Sequence, residues 1–493
     1  MADFKALAKD TAIYGLSSIV GRFLNYLLVP LYTYKISAAS GGYGVVTNVY
    51  AYVALLFVLL TYGMETTFFR FANKEDEDPK KVFSTALWTL LGTSLGFFAL
   101  VMLFIGPISG AMGYAEHPSY IWTMALTVAI DAFQAILFSY LRYCKKAIKF
   151  AALKLLFIFM NIGINLLFFV VLPAWYNSSP DVAGLVYNPS VGVGYVFYIN
   201  LFCTAFITLF FVREMRAFAD GFDKALLRRM LSYSWPILLL GLAGIFNQTA
   251  DKILYPLVCP GEEGRVQLGI YGAVVKIAMI MAMITQAFRY AYEPFVFGNS
   301  RDKDSKEMYA KGMKFFIIFT LLAFLAVMAY MDILRFMIGS DYWPGLGVVP
   351  IVMAAEIMMG VYFNLSFWYK LTDKTIWGAV FSGAGCIVLV AINVIFIPKY
   401  GYYACAWAGF AGYAVAMLLS YFVGQRHFPV AYPLKEIAVY VLLAGVFFGG
   451  ILISGHYLTV AARLAVNTLL LLLFTAFILR KEFSGRIPLL RRK

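Results

Sequence analysis

The chain has 493 residues, 62% of them hydrophobic and only 13% charged, with a mean hydropathy of +0.79 and a formal net charge of +14. A soluble domain is about 45–50% apolar and about 25% charged, so no water-soluble core hides this much apolar surface. Lipid is the expected solvent, and the excess of basic residues reads as a topology signal facing an anionic leaflet, not as a nucleic-acid-binding surface.

Apolar runs near the 17–25 residues that cross about 30 Å of hydrocarbon recur from end to end. Breaking the sequence at charged or Pro/Gly/Asn-rich stretches predicts segments near 11–36, 43–69, 82–106, 119–141, 150–173, 191–212 and 230–256. Seven more follow near 267–293, 313–331, 345–369, 375–397, 402–424, 435–455 and 458–479. The expected fold class is therefore an all-α membrane protein of about 14 transmembrane helices, the first retained rather than cleaved as a signal. Five dispersed cysteines without a CxxC pattern suggest neither a metal site nor a disulfide framework. The connections are short, so function is expected among the helices. No GxxxxGK[ST] loop is present to bind ATP, and no enzymatic activity is expected.

Lys and Arg on alternate loops set the orientation. One side, which includes both ends of the chain and the loops near 70–81, 142–149, 213–229 and 298–312, collects 30 of the 40 basic residues. The other side holds Lys35, Arg265, Arg335 and Lys399, and six basic residues fall within segments: Arg22, Lys154, Lys252, Lys276, Arg289 and Arg463. Both termini are predicted to be cytoplasmic, which requires an even number of spans.

The chain also matches itself. Tyr43-Gly44 and Tyr271-Gly272, Glu65 and Glu293, Arg142 and Lys370, Lys146 and Lys374, and Asn165 and Asn393 are each 228 residues apart. Ahead of the first loop the offset is 226, pairing Pro30 with Pro256 and Asn25 with Asp251. Correspondences that keep their place relative to the segments indicate duplicated halves with the same orientation. The predicted divisions are an N-terminal lobe over 1–216, a C-terminal lobe over 217–425, and two further helices with a basic tail over 426–493. Pro30, Pro236 and Pro256, with Gly15, Gly21, Gly241 and Gly244, interrupt the first helix of each half and are expected to act as hinges.

Among the charges inside apolar segments, six are singled out: Arg22, Asp131, Asp251, Lys252, Lys276 and Glu356. Facing lipid near mid-bilayer they would cost roughly 15–21 kcal/mol together, so they must face a cavity or one another. Asp251 and Lys252 are adjacent and leave a helix in different directions, so they are not expected to neutralise each other. Ser18, Arg22 and Asn25 or Tyr26 form one polar stripe on segment 1, and Lys276, Gln286 and Glu293 form another on segment 8. Tyr32, Tyr34, Trp175, Tyr176, Tyr342 and Trp343, near segment ends, are read as interfacial anchors.

Three stretches, "LAKDTAIYGLSSIVGRFLNYLLVPLYT", the "GGYG" opening segment 2, and "NVIFIPKYGYYACAWAG" with Asn393, Pro398, Gly401 and Ala406, carry a family resemblance. The chain resembles the polysaccharide flippases of the multidrug/oligosaccharidyl-lipid/polysaccharide (MOP) exporter superfamily across essentially its whole length, departing at Ala404, where family members often have glycine. The resemblance implies two six-helix lobes around a cavity lined by segments 1, 2, 7 and 8, and alternating access in a bacterial inner membrane. It implies a polyprenyl-pyrophosphate-linked oligosaccharide as substrate, such as an O-antigen, capsule or exopolysaccharide unit. Segments 13 and 14 would form a groove for the lipid tail.

Arg22 and Lys276 are then expected to attract the pyrophosphate, Arg22 bidentately and Lys276 as a point charge, with Asn25, Lys252 and Arg289 beside them. Asp251, Glu356 and Asn393 fall on segments 7, 10 and 11, where some relatives bind a coupling cation, and suit Na⁺ or a proton relay. Asp131 is a further coupling candidate. A drug/cation antiporter of the same superfamily is the alternative reading, and a membrane glycosyltransferase or polymerase is more remote.

Overall fold

The computed structural model describes residues 26–298, 305–372 and 374–483. Among these residues it is helical throughout, without strands, and 13 helices are long and apolar enough to cross a membrane. Segment 1 ends in α1 (Leu28–Lys35). Segment 2 is split into α2 (Gly42–Thr61) and α3 (Met64–Ala72). Then follow α4 (Pro79–Leu103), α5 (Pro118–Tyr143), α6 (Ala147–Leu166), α7 (Gly194–Thr208), α8 (Lys224–Val258) and α9 (Glu262–Gly298). The remaining spans are α10 (Ser305–Ala329), α11 (Val349–Leu365), α12 (Ile376–Tyr400), α13 (Tyr402–His427), α14 (Leu434–Tyr457) and α15 (Val460–Phe483). Predicted segments 2 to 14 each overlap one or two of these helices, with ends that differ by up to about eight residues, while most of predicted segment 1 lies outside the described residues; in hydrocarbon only the helix satisfies every backbone group within its own segment.

The departures from straight helices have local causes. Tyr62 (φ 34°) and Gly63 (φ 72°) are both left-handed, and the Tyr62 N–H closes α2 by bonding Val58 O at 3.0 Å. A Cβ on Gly63 would come within 2.8 Å of the Ile237 side chain, so the break also lets α8 approach. Segment 5 passes through a π-turn at Leu167–Val171 just before Pro173, whose missing N–H cannot continue the ladder. By contrast α8 runs unbroken through Pro236 and Pro256.

The chain divides into two compact units, residues 1–272 and 273–493, the division falling within α9. In the first unit the core is aromatic: Phe68, Phe83 and Phe211 are fully buried, and Phe83 stacks on Tyr140 at 3.9 Å. Here α8 packs along α2. Asn48 of α2 fastens it by donating to Lys252 O at 2.8 Å while accepting from Tyr114 Oη at 2.9 Å. In the second unit α12 and α13 pack closely, as do α11 and α13. The last two helices are fastened to α10: Lys314 bridges Glu436 (3.0 Å) and Glu482 (2.7 Å), and Asn467 donates to Ala329 O at 3.1 Å.

Two expected interfacial anchors are buried in protein instead. Tyr32 is 7% exposed and donates to Asn165 Oδ1 at 2.8 Å, and Tyr342 is 0% exposed. Tyr32 turns inward because a buried amide meets its hydroxyl there, whereas Tyr34 and Trp175 remain exposed.

Candidate functional site

The self-match of the sequence becomes a repeated contact. Arg142 Nη2 of α5 binds Glu65 Oε2 of α3 at 3.0 Å in the first unit, and Lys370 Nζ binds Glu293 Oε1 at 3.0 Å in the second. Both pairs join residues 77 apart, so each half closes the same ion pair between its second and fourth segments. Ser139 adds a hydroxyl to the first pair, and Arg289 adds a second cation to the other, 3.3 Å from Glu293.

Beside the first pair lies a cavity of about 410 Å³, walled by α2, α3, α5, α6 and α7. Its lining combines Glu65, Asp131, Gln134, Arg142 and Lys154 with Phe57, Phe138, Phe150 and Phe157. Asp131 accepts a 3.3 Å hydrogen bond on one carboxylate oxygen from Thr204 Oγ1. Gln134 spends both amide hydrogens on Thr204 O (2.8 Å) and Thr208 Oγ1 (2.7 Å). The Lys154 ammonium lies 4.0 Å from the centre of the Phe138 ring. Asp131 thus faces a cavity, as its cost in lipid requires.

The equivalent space in the second half, against Thr285, Phe363 and Lys370, is about 10 Å³, room for a single water.

Asp251 and Lys252 correct the sequence expectation: Lys252 Nζ folds back onto both Asp251 oxygens, at 2.9 and 3.1 Å. Adjacent helical residues diverge at Cβ, but the four-carbon lysine stem spans the gap, and burial (8% exposure at Asp251) rewards pairing. Tyr271 Oη donates to Asp251 Oδ2 at 2.7 Å, completing the cluster.

Arg289 is occupied by Glu293 and by the Phe363 ring, 4.6 Å from its centroid. Lys276 and Glu356 are half-buried on α9 and α11. Asn393 is fully buried on α12, with neither amide atom bonded to protein among the described residues. Its repeat mate Asn165 is satisfied by Tyr32 and by Asn161, and the second half has Leu389 where the first has Asn161. Arg22 and Asn25 lie outside the described residues.

Sequence reasoning missed Gln134 as a site residue and left Lys154 as an unassigned in-segment cation. The signal for Lys154 was present, since a lysine two turns into the apolar run of α6 must be provided for. Gln134 gave none.

The model of the family described as polysaccharide biosynthesis protein matches residues 7–294. The chain belongs to this family. No curated protein matches it in sequence. Among solved structures, this member of the family superposes on the lipid II flippase MurJ in its inward closed conformation with a TM-score of 0.70 at 12% identity, covering 95% of this chain and 99% of that one. An inward-facing multidrug resistance MATE transporter of the MOP superfamily gives 0.63 at 14%, covering 85% and 97%. The MATE multidrug transporter DinF-BH gives 0.58 at 16%, covering 84% and 95%. At these identities the likeness establishes the fold alone, and the apolar helices make it that of a multi-pass membrane protein.

Proposed function

We propose that this chain carries a polyprenyl-pyrophosphate-linked oligosaccharide across the inner membrane, with both termini and the basic loops cytoplasmic, and performs no covalent chemistry on it. The observation that carries the reading is the polysaccharide biosynthesis family match over residues 7–294. The likeness to a lipid II flippase over 95% of the chain supports it. The pyrophosphate is assigned to Arg22 and Lys276 on segments 1 and 8, the cavity-lining segments that the family resemblance implies.

The drive is assigned to a Na⁺ or proton gradient acting through Asp251, Glu356 and Asn393. The bare amide of Asn393 supports this, because a buried polar group left unmet costs about 1–3 kcal/mol.

The antiporter reading rests on the MATE-like fold, but the charged lining of the first-half cavity is balanced, with Glu65 and Asp131 against Arg142 and Lys154. That balance does not favour an organic cation. The test is reconstitution of the purified protein in liposomes with a fluorescent polyprenyl-pyrophosphate-linked oligosaccharide. Gradient-dependent movement between leaflets is expected. Efflux of a cationic dye without lipid-linked saccharide movement would replace the flippase with the antiporter.

A further inference from the structure

The two halves share a frame but not a site. At the 228-residue offset that relates the ion pairs, Asp131, Gln134, Ala135 and Lys154 of the first half correspond to Met359, Tyr362, Phe363 and Ser382 of the second. The second-half replacements remove both charges and add two rings, and Phe363 lines the remaining space of about 10 Å³. The first half keeps about 410 Å³ open and walls it with polar groups, against the cost of placing charges in a membrane-spanning unit.

Those groups have unused hydrogen-bonding capacity of both kinds. Among the described residues, Asp131 has a carboxylate oxygen without a protein partner, and Gln134 has a carbonyl oxygen in the same condition, since its amide hydrogens are spent. These are acceptors. Lys154 makes no ion pair among those residues and presents its ammonium from over the Phe138 ring. This is a threefold donor. A metal cation would satisfy Asp131 and Gln134 but meet the ammonium of Lys154. An anion would satisfy Lys154 but meet the carboxylates of Asp131 and Glu65. A hydroxylated, uncharged ligand satisfies both sets at once, because each hydroxyl donates and accepts, and the apolar face of such a ring packs on the Phe57, Phe138 and Phe157 walls. The volume falls in the range of about 300–1,000 Å³ found for small-molecule sites.

We propose that the first-half cavity is a saccharide subsite, holding one or two uncharged sugar residues of the transported glycan between α2, α5 and α6. The inference rests on the flippase reading, and adds to it a glycan-binding position within one half.

The full-length protein in nanodiscs is titrated with N-acetylglucosamine, rhamnose and methyl glucoside, and separately with inorganic pyrophosphate and Na⁺, using calorimetry and saturation-transfer NMR. At least one sugar is expected to bind in the millimolar range. Asp131→Asn and Gln134→Ala should each weaken it by roughly ten-fold or more, as loss of a hydrogen bond to a charged or buried partner does. Ala135→Phe, which installs the residue that occupies this position in the second half, should abolish it. Unchanged melting temperatures of the three variants separate lost binding from lost folding, and Gln134→Glu, which keeps the accepting oxygen, should retain sugar binding if Gln134→Ala unfolds.

Absence of binding by any of the three sugars overturns the proposal. So does sugar affinity that all three variants leave unchanged, or a site that takes only pyrophosphate through Lys154 or only Na⁺ through Asp131. Liposome transport separates the two readings. A protein that flips lipid-linked oligosaccharide but whose sugar affinity ignores these variants loses the subsite and keeps the flippase function. A protein that binds sugar yet moves no lipid-linked oligosaccharide loses both the flippase reading and the glycan as natural occupant.

Discussion

The pairing of Asp251 with Lys252 is a contact that chain direction argues against and chain environment produces. Both side chains are mostly withdrawn from solvent, at 12% and 20% exposure, so each charge needs a partner, and the nearest one is the next residue. Removing one member of such a pair strands the other, which typically costs about 3–5 kcal/mol. Asp251→Asn is therefore expected to lower thermal stability sharply in detergent, and Asp251→Asn with Lys252→Met to restore most of it. A double variant as unstable as the single one would show that the carboxylate serves something other than its neighbour.

Asn165 and Asn393 invite the complementary experiment, because the same residue at equivalent positions has opposite surroundings. Asn165 holds Tyr32 Oη and the Asn161 backbone and side chain, whereas both atoms of the Asn393 amide are bare. Asn165→Leu leaves a buried tyrosine hydroxyl unmet and is expected to destabilise by about 1–3 kcal/mol. Asn393→Leu should leave stability unchanged or raise it, while abolishing dependence of transport on the ion gradient. Full gradient dependence in a folded Asn393→Leu protein would remove this amide from the coupling assignment.

Element by element, hydropathy sets where each helix runs and a few local groups set where it begins. The Asp223 carboxylate caps α8 by accepting from Ala225 N (2.8 Å) and Leu226 N (3.0 Å). Those bonds, the one from Leu226 foremost, hold its carboxyl below the ordinary carboxylate value. A group whose folded pKa is depressed adds stability above its unfolded pKa and loses it as pH falls through the folded value. Between neutral and strongly acid pH, the protein should therefore lose a small increment of stability that Asp223→Asn, a cap without a charge, does not lose. Melting curves of the two proteins across that range provide the measurement, and parallel pH profiles would count against the cap as their source.

Two elements meet so closely that side chains are excluded. A Cβ on Gly44 of α2 would run into the Arg265 carbonyl of α9, and one on Gly269 would come within 2.9 Å of Gly44 N. This explains in contact terms why Tyr-Gly stands at matching places in both halves: Gly272 likewise leaves room for the Thr47 side chain.

For the whole molecule, the testable statement is orientation. The thirty basic residues gathered on one side predict that single cysteines at Lys145 and Gly221 are shielded from an impermeant thiol reagent applied outside the cell. Cysteines at Glu116 and Gly261 should react with it. External labelling of both members of the first pair would reverse the topology and move the substrate's entry side with it.

The sequence by itself determined the solvent, the course of the apolar helices, the 228-residue self-match and the family, because each is written in local composition or in spacing. An apolar run of about 20–25 residues is helical in lipid whatever its neighbours are, and the 228-residue matches needed no coordinates to be found. Only the tertiary structure decided which charges meet. Glu65 and Arg142 stood in the sequence as markers of repetition, and folding made them an ion pair. Asp131, Gln134 and Lys154 come from α5 and α6, and whether they enclose space depends on the volume of side chains at positions such as Ala135, where the second half has Phe363. Cavities follow from how helices of similar composition pack, and that packing is set by contacts between residues distant in the chain, which a linear reading of hydropathy does not contain.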